Sequence, residues 1–219
     1  MSNTAFFLRR LSTILAVTIL TLTLIGVTSG ILLAFYYQPS AGGAYSSLKD
    51  IDQTIPYGWL VHTMHNISGN LLIVLALVQI VVMFLGERFR RSWLVAWISG
   101  IFLTLSAIGL SWTAMILSWD QLGFWRFRIE LGTIEALPLI GPQLRDALTG
   151  GAVSTITVEH LYTLHSYLIS VGATGLAIVH LIGLLFQEKE VQEEKLAIAA
   201  AQAQSESDSA EEQNAQLTA

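Results

Sequence analysis

The sequence predicts an all-α integral membrane protein, a four-helix bundle with a structured outer loop between its third and fourth helices. The first observation is composition: 53% of the 219 residues are hydrophobic and only 12% are charged, a balance typical of membrane proteins. The second is that the charged residues avoid four long stretches of the chain. The third is that His65, His165 and His180 lie well inside two of these stretches, where a polar ring is costly and is usually kept for a functional reason.

Each of the four apolar stretches is long enough to cross a membrane. A hydrocarbon core of about 30 Å takes about 20 helical residues, and a helix is required because lipid satisfies no backbone polar group. A cleaved signal peptide is the alternative for the first stretch, but its apolar run is too long and no small-residue cleavage site follows closely. The predicted spans cover residues 11–36, 59–85, 94–117 and 161–186.

Arginines in the short loops predict the orientation of the bundle. Arg9 and Arg10 precede the first span, and Arg88, Arg90 and Arg91 fill the turn between the second and third spans. Under the positive-inside rule both segments face the cytoplasm. We therefore expect cytoplasmic termini, in a bacterial inner membrane or a photosynthetic membrane. A topogenic loop explains the second arginine group better than a nucleic-acid patch, so no nucleic-acid partner is expected.

The connection between the third and fourth spans, residues 118–160, is long enough to hold structure of its own. Pro138, Gly141 and Pro142 divide it into two predicted surface helices, and we expect Asp120 to cap its start. Its aromatic side chains suit the interface between lipid and water. They are Trp119, Phe124, Trp125 and Phe127.

The C-terminal segment explains the formal net charge of -5, because eight of the 16 acidic residues lie from Glu188 onward. We predict three parts: residues 1–10 as an N-terminal cytoplasmic segment, 11–187 as the four-helix transmembrane domain, and 188–219 as an acidic, largely disordered tail. The alternative for residues 188–204 is a continuation of the last helix. The chain has no cysteine, which excludes disulfides, thiolate metal sites, iron–sulfur clusters and covalent c-type haem attachment through its own residues.

The spacing of polar side chains within the second and fourth spans predicts two levels across the bundle. At 100° and 1.5 Å per residue, positions 65 and 79 differ by about 40° and about 21 Å, and positions 165 and 180 by about 60° and about 22 Å. Both spans start on the outer side. His65 is therefore expected to meet His165 near that side, and Gln79 to meet His180 deeper in the membrane.

Two imidazoles on facing helices are the ligands that a low-spin b-type haem takes, one on each side of the iron. The pattern thus predicts a haem-binding bundle in which one ligand of the inner level is missing. A buried imidazole that only hydrogen-bonds to a neighbouring helix is the alternative for each histidine.

Several motifs accompany these histidines in order along the chain. They are Ala34-Phe35-Tyr36-Tyr37-Gln38-Pro39, Gly58-Trp59-Leu60, Ser118-Trp119-Asp120-Gln121-Leu122-Gly123-Phe124-Trp125, Glu135-Ala136-Leu137-Pro138-Leu139-Ile140-Gly141 and Tyr162-Thr163-Leu164-His165. Over residues 11–186 the chain resembles the N-terminal, haem-binding half of the cytochrome b/cytochrome b6 family, in its split, chloroplast-type arrangement. The resemblance implies two b-type haems that pass electrons from quinol, with His65 and His165 as axial ligands of the outer iron and His180 as a ligand of the inner one.

The resemblance also suggests residues around the haems. His62 stands where the family tends to carry an arginine near a haem propionate, and an interfacial helix-start histidine is the alternative. Small residues are expected where helices cross beside a haem: Gly30 and Ala114 at the outer level, Ala16 and Gly100 at the inner level. Because Ile14 replaces the cysteine that holds a further haem in the chloroplast-type protein, no covalent haem is expected.

Gln79 is the main departure from the family, which has a histidine there. Three outcomes are open: a five-coordinate inner haem on His180 alone, which we favour at this stage, a haem with an unusual sixth ligand, or no inner haem. Met83 lies one turn deeper, which makes it a weak substitute ligand. One haem b is therefore predicted at the outer level, and a second depends on which of these three outcomes holds.

The predicted function is electron relay in a membrane quinol:electron-acceptor oxidoreductase of the cytochrome bc type. The chain is not expected to be catalytically complete, because the second half of cytochrome b would come from a partner subunit within a multi-subunit complex, with a dimer as one arrangement. A Rieske iron–sulfur protein and a c-type cytochrome are the other expected partners. Glu135 is a candidate for proton transfer beside the quinol, and a solvated loop carboxylate is the alternative. The alternative functions are a haem-bearing anchor for another redox module, such as a nitrate reductase, and a haem-free membrane protein.

Overall fold

A computed structural model describes residues 3–86 and 93–217 of the chain, with the side chains of residues 7–86 and 93–207. All regular structure in these ranges is helical. The helices are α1 (Asn3–Ala34), α2 (Ala44–Gln53), α3 (Gly58–Leu85), α4 (Leu94–Leu117), α5 (Gln121–Glu135), α6 (Gly141–Thr149), α7 (Thr155–Thr163) and α8 (Ser170–Leu217), with a π-helical segment at Leu164–Ile169 between the last two. The predicted loop arginines Arg88, Arg90 and Arg91 lie outside the described residues.

Four helical segments in the described ranges are long and apolar enough to cross a membrane, which confirms the predicted fold class. They are Phe7–Ala34, Gly58–Leu85, Leu94–Leu117 and Thr155–Ser207. Large apolar side chains such as Leu24, Val74 and Phe102 point outward on these spans. In water such a surface would be unfavourable, whereas hydrocarbon accepts it.

The four spans form a closed ring of neighbours. Helix α1 packs against α3, α3 against α4, α4 against α8, and α8 against α1. Helix α3 and the last span, which carry the predicted ligands, therefore lie on a diagonal of the bundle. Their inward side chains can meet in the interior, while α1 and α4 flank them on either side.

Apolar side chains fill the bundle in three layers. The layer at the loop end includes Phe127 and Leu161, the middle layer includes Leu72 and Ala173, and the third layer includes Met83. Residue 72 lies midway along α3 between residues 65 and 79, so the middle layer separates the two predicted polar levels.

The loop between α4 and α8 is structured, as the sequence predicts. Helices α5 and α6 are its two short helices, and Asp120 caps α5 by accepting a 2.7 Å hydrogen bond from the Gly123 N–H. The indole N–H of Trp112 donates to Glu130, 2.6 Å away, which fastens α5 to α4. Helix α2, in the loop before α3, was not predicted.

Helix α8 extends well past residue 188, where the sequence predicted the acidic tail to begin. The helix continues without a break to Leu217, through the segment expected to be largely disordered and past the alternative end at residue 204. Its sequence accounts for this, because no Gly or Pro follows Gly183 and Ala, Glu and Gln are strong helix formers. The hydroxyl of Thr13 on α1 donates to Glu188 over 2.6 Å, at the point where α8 passes the start of the first span.

Candidate functional site

The predicted outer level brings two imidazoles together; we call it the paired-histidine level, made of His65 and His165. The ring centroids are 6.1 Å apart and the ring planes are tilted by 59°. His65 belongs to α3, and His165 belongs to the π-helical segment that leads into α8. The two rings therefore meet at the level that residue counting along the second and fourth spans predicted.

His65 is anchored to α1 through its Nδ1 atom. This nitrogen lies 3.0 Å from the carbonyl oxygen of Gly26 and 3.2 Å from the hydroxyl of Ser29. A carbonyl can only accept, so Nδ1 carries the hydrogen of the neutral ring and Nε2 carries the lone pair. Gly30 allows this approach, because a Cβ there would lie 3.0 Å from the Cε1 of His65.

His165 is anchored to α4 in the same way. Its Nδ1 lies 2.8 Å from the Thr113 hydroxyl, and that hydroxyl donates to the Gly109 carbonyl over 2.9 Å. The hydroxyl therefore accepts from the ring, which again leaves Nε2 with the lone pair. The wide π-helical turn that presents His165 is of a kind often found at functional sites.

The spacing of the two rings suits a shared metal ion. Metal–nitrogen bonds of about 2 Å on both sides of an ion place two imidazole centroids roughly 6 Å apart, close to the 6.1 Å observed. Within the described ranges, His, Asp and Glu side chains do not gather in groups of three or more. Two imidazoles, one on each side of the iron, are the protein ligands of a bis-imidazole haem.

The predicted inner level consists of Gln79 and His180; we call it the glutamine–histidine level. Both side chains are buried, with exposed fractions of 2% and 1%, and their Nε2 atoms are 2.9 Å apart. The Gln79 amide nitrogen also lies 3.1 Å from the hydroxyl of Ser12 on α1. The Nδ1 of His180 lies 2.8 Å from the carbonyl oxygen of Ala96 on α4.

Two further predicted residues form contacts with other side chains. The Nδ1 of His62 lies 2.8 Å from an Asp52 carboxylate oxygen on α2, which favours the helix-start alternative over a free propionate partner. Glu135 is half exposed and forms a 3.3 Å ion pair with Arg145, so a surface ion pair accounts for it. A part for either residue in haem or quinol chemistry stays a prediction.

The remaining predicted residues lie in different surroundings. Ala16 and Met83 are buried together in the third apolar layer. Ala114 takes an exposed position on α4, and it is its neighbour Thr113 that contacts His165. The role of Ala114 beside a haem also stays a prediction.

Sequence reasoning missed the side chains that anchor the two levels. They are Ser29 and Thr113 at the paired-histidine level and Ser12 at the glutamine–histidine level. Hydroxyl residues in apolar helices commonly bond to their own backbone, as Thr18 and Thr28 do here. No sequence signal separates the anchoring hydroxyls from these.

Comparison with known proteins gives one consistent result. The sequence model of the family described as Cytochrome b/b6/petB matches residues 7–188. Cytochrome b6 of Gracilaria tenuistipitata var. liui is 28% identical over 160 residues, which cover 73% of this chain and 74% of that protein. Cytochrome b6 of Tupiella akineta is 27% identical over 163 residues, covering 74% and 76% of the two chains.

A solved chain of a hyperthermophilic respiratory Complex III shares the fold, with a TM-score of 0.68 at 23% identity. The match covers 79% of this chain and 47% of that one, so the chain spans about half the length of its structural relative. The family match covers the first three spans and the fourth as far as residue 188, and it includes both polar levels. The chain therefore belongs to the cytochrome b/b6 family.

Proposed function

We propose that this chain is the electron-relay subunit of a membrane quinol:electron-acceptor oxidoreductase, with a b-type haem held between His65 and His165. Family membership implies haem b binding in a membrane complex of the bc type. The observation that carries the assignment of the ligands is the 6.1 Å separation of two rings whose Nδ1 atoms are both tied to neighbouring helices.

The chain's own residues prepare this site in three ways. The anchors on α1 and α4 fix the tautomer and direction of each ring, and an acceptor at Nδ1 raises the basicity of a metal-binding imidazole. Apolar layers lie on both sides of the level that holds the rings. A haem b held there supplies reversible one-electron transfer.

The wider assembly follows from the relatives and is part of the proposal. We expect a partner subunit that carries the C-terminal half of cytochrome b, with a Rieske iron–sulfur protein and a c-type cytochrome. Quinol is the expected electron donor, and both termini are expected on the cytoplasmic side, as the arginines at positions 9 and 10 favour.

The test is purification of the tagged full-length chain from its native membrane in mild detergent. We expect a reducible low-spin b-type spectrum, together with the second-half subunit and the Rieske protein in the purified complex. A preparation without a Soret band would support a haem-free membrane protein and overturn the proposal. Co-purification of a nitrate reductase in place of a Rieske protein would favour the haem-bearing anchor.

A further inference from the structure

At the glutamine–histidine level, the atom that would bind iron already has a partner. The Ala96 carbonyl can only accept, so the Nδ1 of His180, 2.8 Å away, carries the ring hydrogen. In the neutral ring Nε2 is then the acceptor, and the Gln79 amide N–H donates to it over 2.9 Å. Iron requires the same Nε2 lone pair, so Gln79 and iron compete for one atom.

The geometry of Gln79 also differs from that of an axial ligand. Two nitrogens on either side of a metal ion would lie about 4 Å apart, whereas the Nε2 atoms of Gln79 and His180 are 2.9 Å apart. The amide nitrogen has no lone pair for a metal, and its second hydrogen points to the Ser12 hydroxyl, 3.1 Å away. Turning Oε1 toward an iron would break both hydrogen bonds.

The His180 ring also lies close against the backbone of α4. A Cβ on Gly100 would lie 2.9 Å from the Cε1 and 3.0 Å from the Nδ1 of His180. The ring is therefore held between the α4 backbone on one side and Gln79 on the other. Met83, one turn deeper on α3, does not supply a sixth ligand, because its side chain is packed in the third apolar layer.

We infer that the chain binds a single haem, at the paired-histidine level, and that Ser12, Gln79 and His180 form a haem-free polar clamp that joins the four spans at the second level. Of the three outcomes that the sequence leaves open, this is the third. The first half of this inference, that a haem binds at the paired-histidine level, rests on the proposed function. The redox path within the chain then ends at His165, about 22 Å along the helix from His180, so electrons cannot cross the membrane through this subunit alone.

The decisive measurement is the ratio of haem b to chain in the complex purified from native membrane, by pyridine haemochrome and amino-acid analysis, with a redox titration and EPR. We expect one haem b per chain, low-spin, titrating in a single step. Two haems per chain, or a high-spin haem b signal, would overturn this inference and leave the proposed function standing. A ratio of zero would overturn the proposed function itself.

Two variants test whether the contact between Gln79 and His180 is what prevents a second haem from binding. Gln79→His should raise the ratio from one toward two, because it places an imidazole opposite His180; the matched control, Gln79→His combined with His180→Ala, should return it to one. A ratio that stays at one in folded Gln79→His protein would show that Gln79 is not what excludes the haem. His180→Gln, whose amide can keep both hydrogen bonds, should hold one haem, and a loss of haem from it would contradict the inference.

Discussion

The two polar levels of the bundle share one scaffold and differ in what joins the helices across it. At each level the α3 side chain is anchored to α1 and the imidazole from the last span is anchored to α4. At the paired-histidine level the rings stand 6.1 Å apart with both Nε2 atoms available. At the glutamine–histidine level a 2.9 Å hydrogen bond closes the gap. The two levels thus place different α3 side chains, His65 and Gln79, opposite an imidazole from the last span.

The largest expected effect comes from removing a ligand at the paired-histidine level. His165→Ala should lower the haem content by more than about tenfold, because losing only a hydrogen-bond partner of a ligand costs about ten- to a hundredfold in metal affinity and this change removes the ligand itself. The measurement is the low-spin haem signal per chain. His160→Ala is the matched control, since His160 is exposed on α7, and it should keep the haem. A normal signal in His165→Ala would refute the ligand assignment.

The second level should respond in stability and not in haem content. His180→Ala takes away the acceptor of one Gln79 amide N–H and one donor to the Ala96 carbonyl, which should lower the free energy of unfolding by about 1–3 kcal/mol. Thermal unfolding in detergent measures this. A variant with leucine at both positions 79 and 180 should cost less, because the Gln79 amide is then absent and cannot be left buried without an acceptor. If His180→Ala lost haem as well as stability, the glutamine–histidine level would take part in haem binding, contrary to the inference above.

The anchors at the paired-histidine level should have an intermediate effect. Thr113→Val keeps the shape of the side chain and removes the acceptor for the Nδ1 of His165, so haem retention should weaken by about tenfold. Competition with apomyoglobin for haem measures the change, and the haem midpoint potential should shift with it. Thr104→Val on the same helix is the control, because the Thr104 hydroxyl bonds only to backbone carbonyls. Equal effects in both variants would mean that the anchor does not tune the ring.

The smallest effect is expected at the edge of the paired-histidine level. Asp52→Asn removes the partly exposed pair with His62 and should change the free energy of unfolding by less than about 1 kcal/mol. The haem midpoint potential should stay the same, as measured by redox titration. A clear shift of that potential would indicate that His62 acts on the haem, as the family's arginine position suggests.

Counting residues along the helices was enough to predict which side chains meet, because depth in an antiparallel bundle follows from the rise per residue. The position of Gln79 opposite His180 is an example. Counting could not predict that the amide would donate to Nε2, since this depends on the ring tautomer that the Ala96 carbonyl imposes. Nor could it predict the π-helical segment, because the width of a single turn is decided by tertiary packing and not by the local residue types.

That segment has a consequence for changes in chain length. A turn with i to i+5 hydrogen bonds holds one more residue than an α-helical turn, so Leu164–Ile169 acts as a single-residue insertion that sets the angular phase of His165 against α8. The wider turn takes up this residue within the segment, whereas a deletion of one residue from the α-helical turns between positions 170 and 179 would rotate His165 by about 100° against His180 and turn it away from His65. A change in length there would therefore remove the site even if every side chain that forms it were retained.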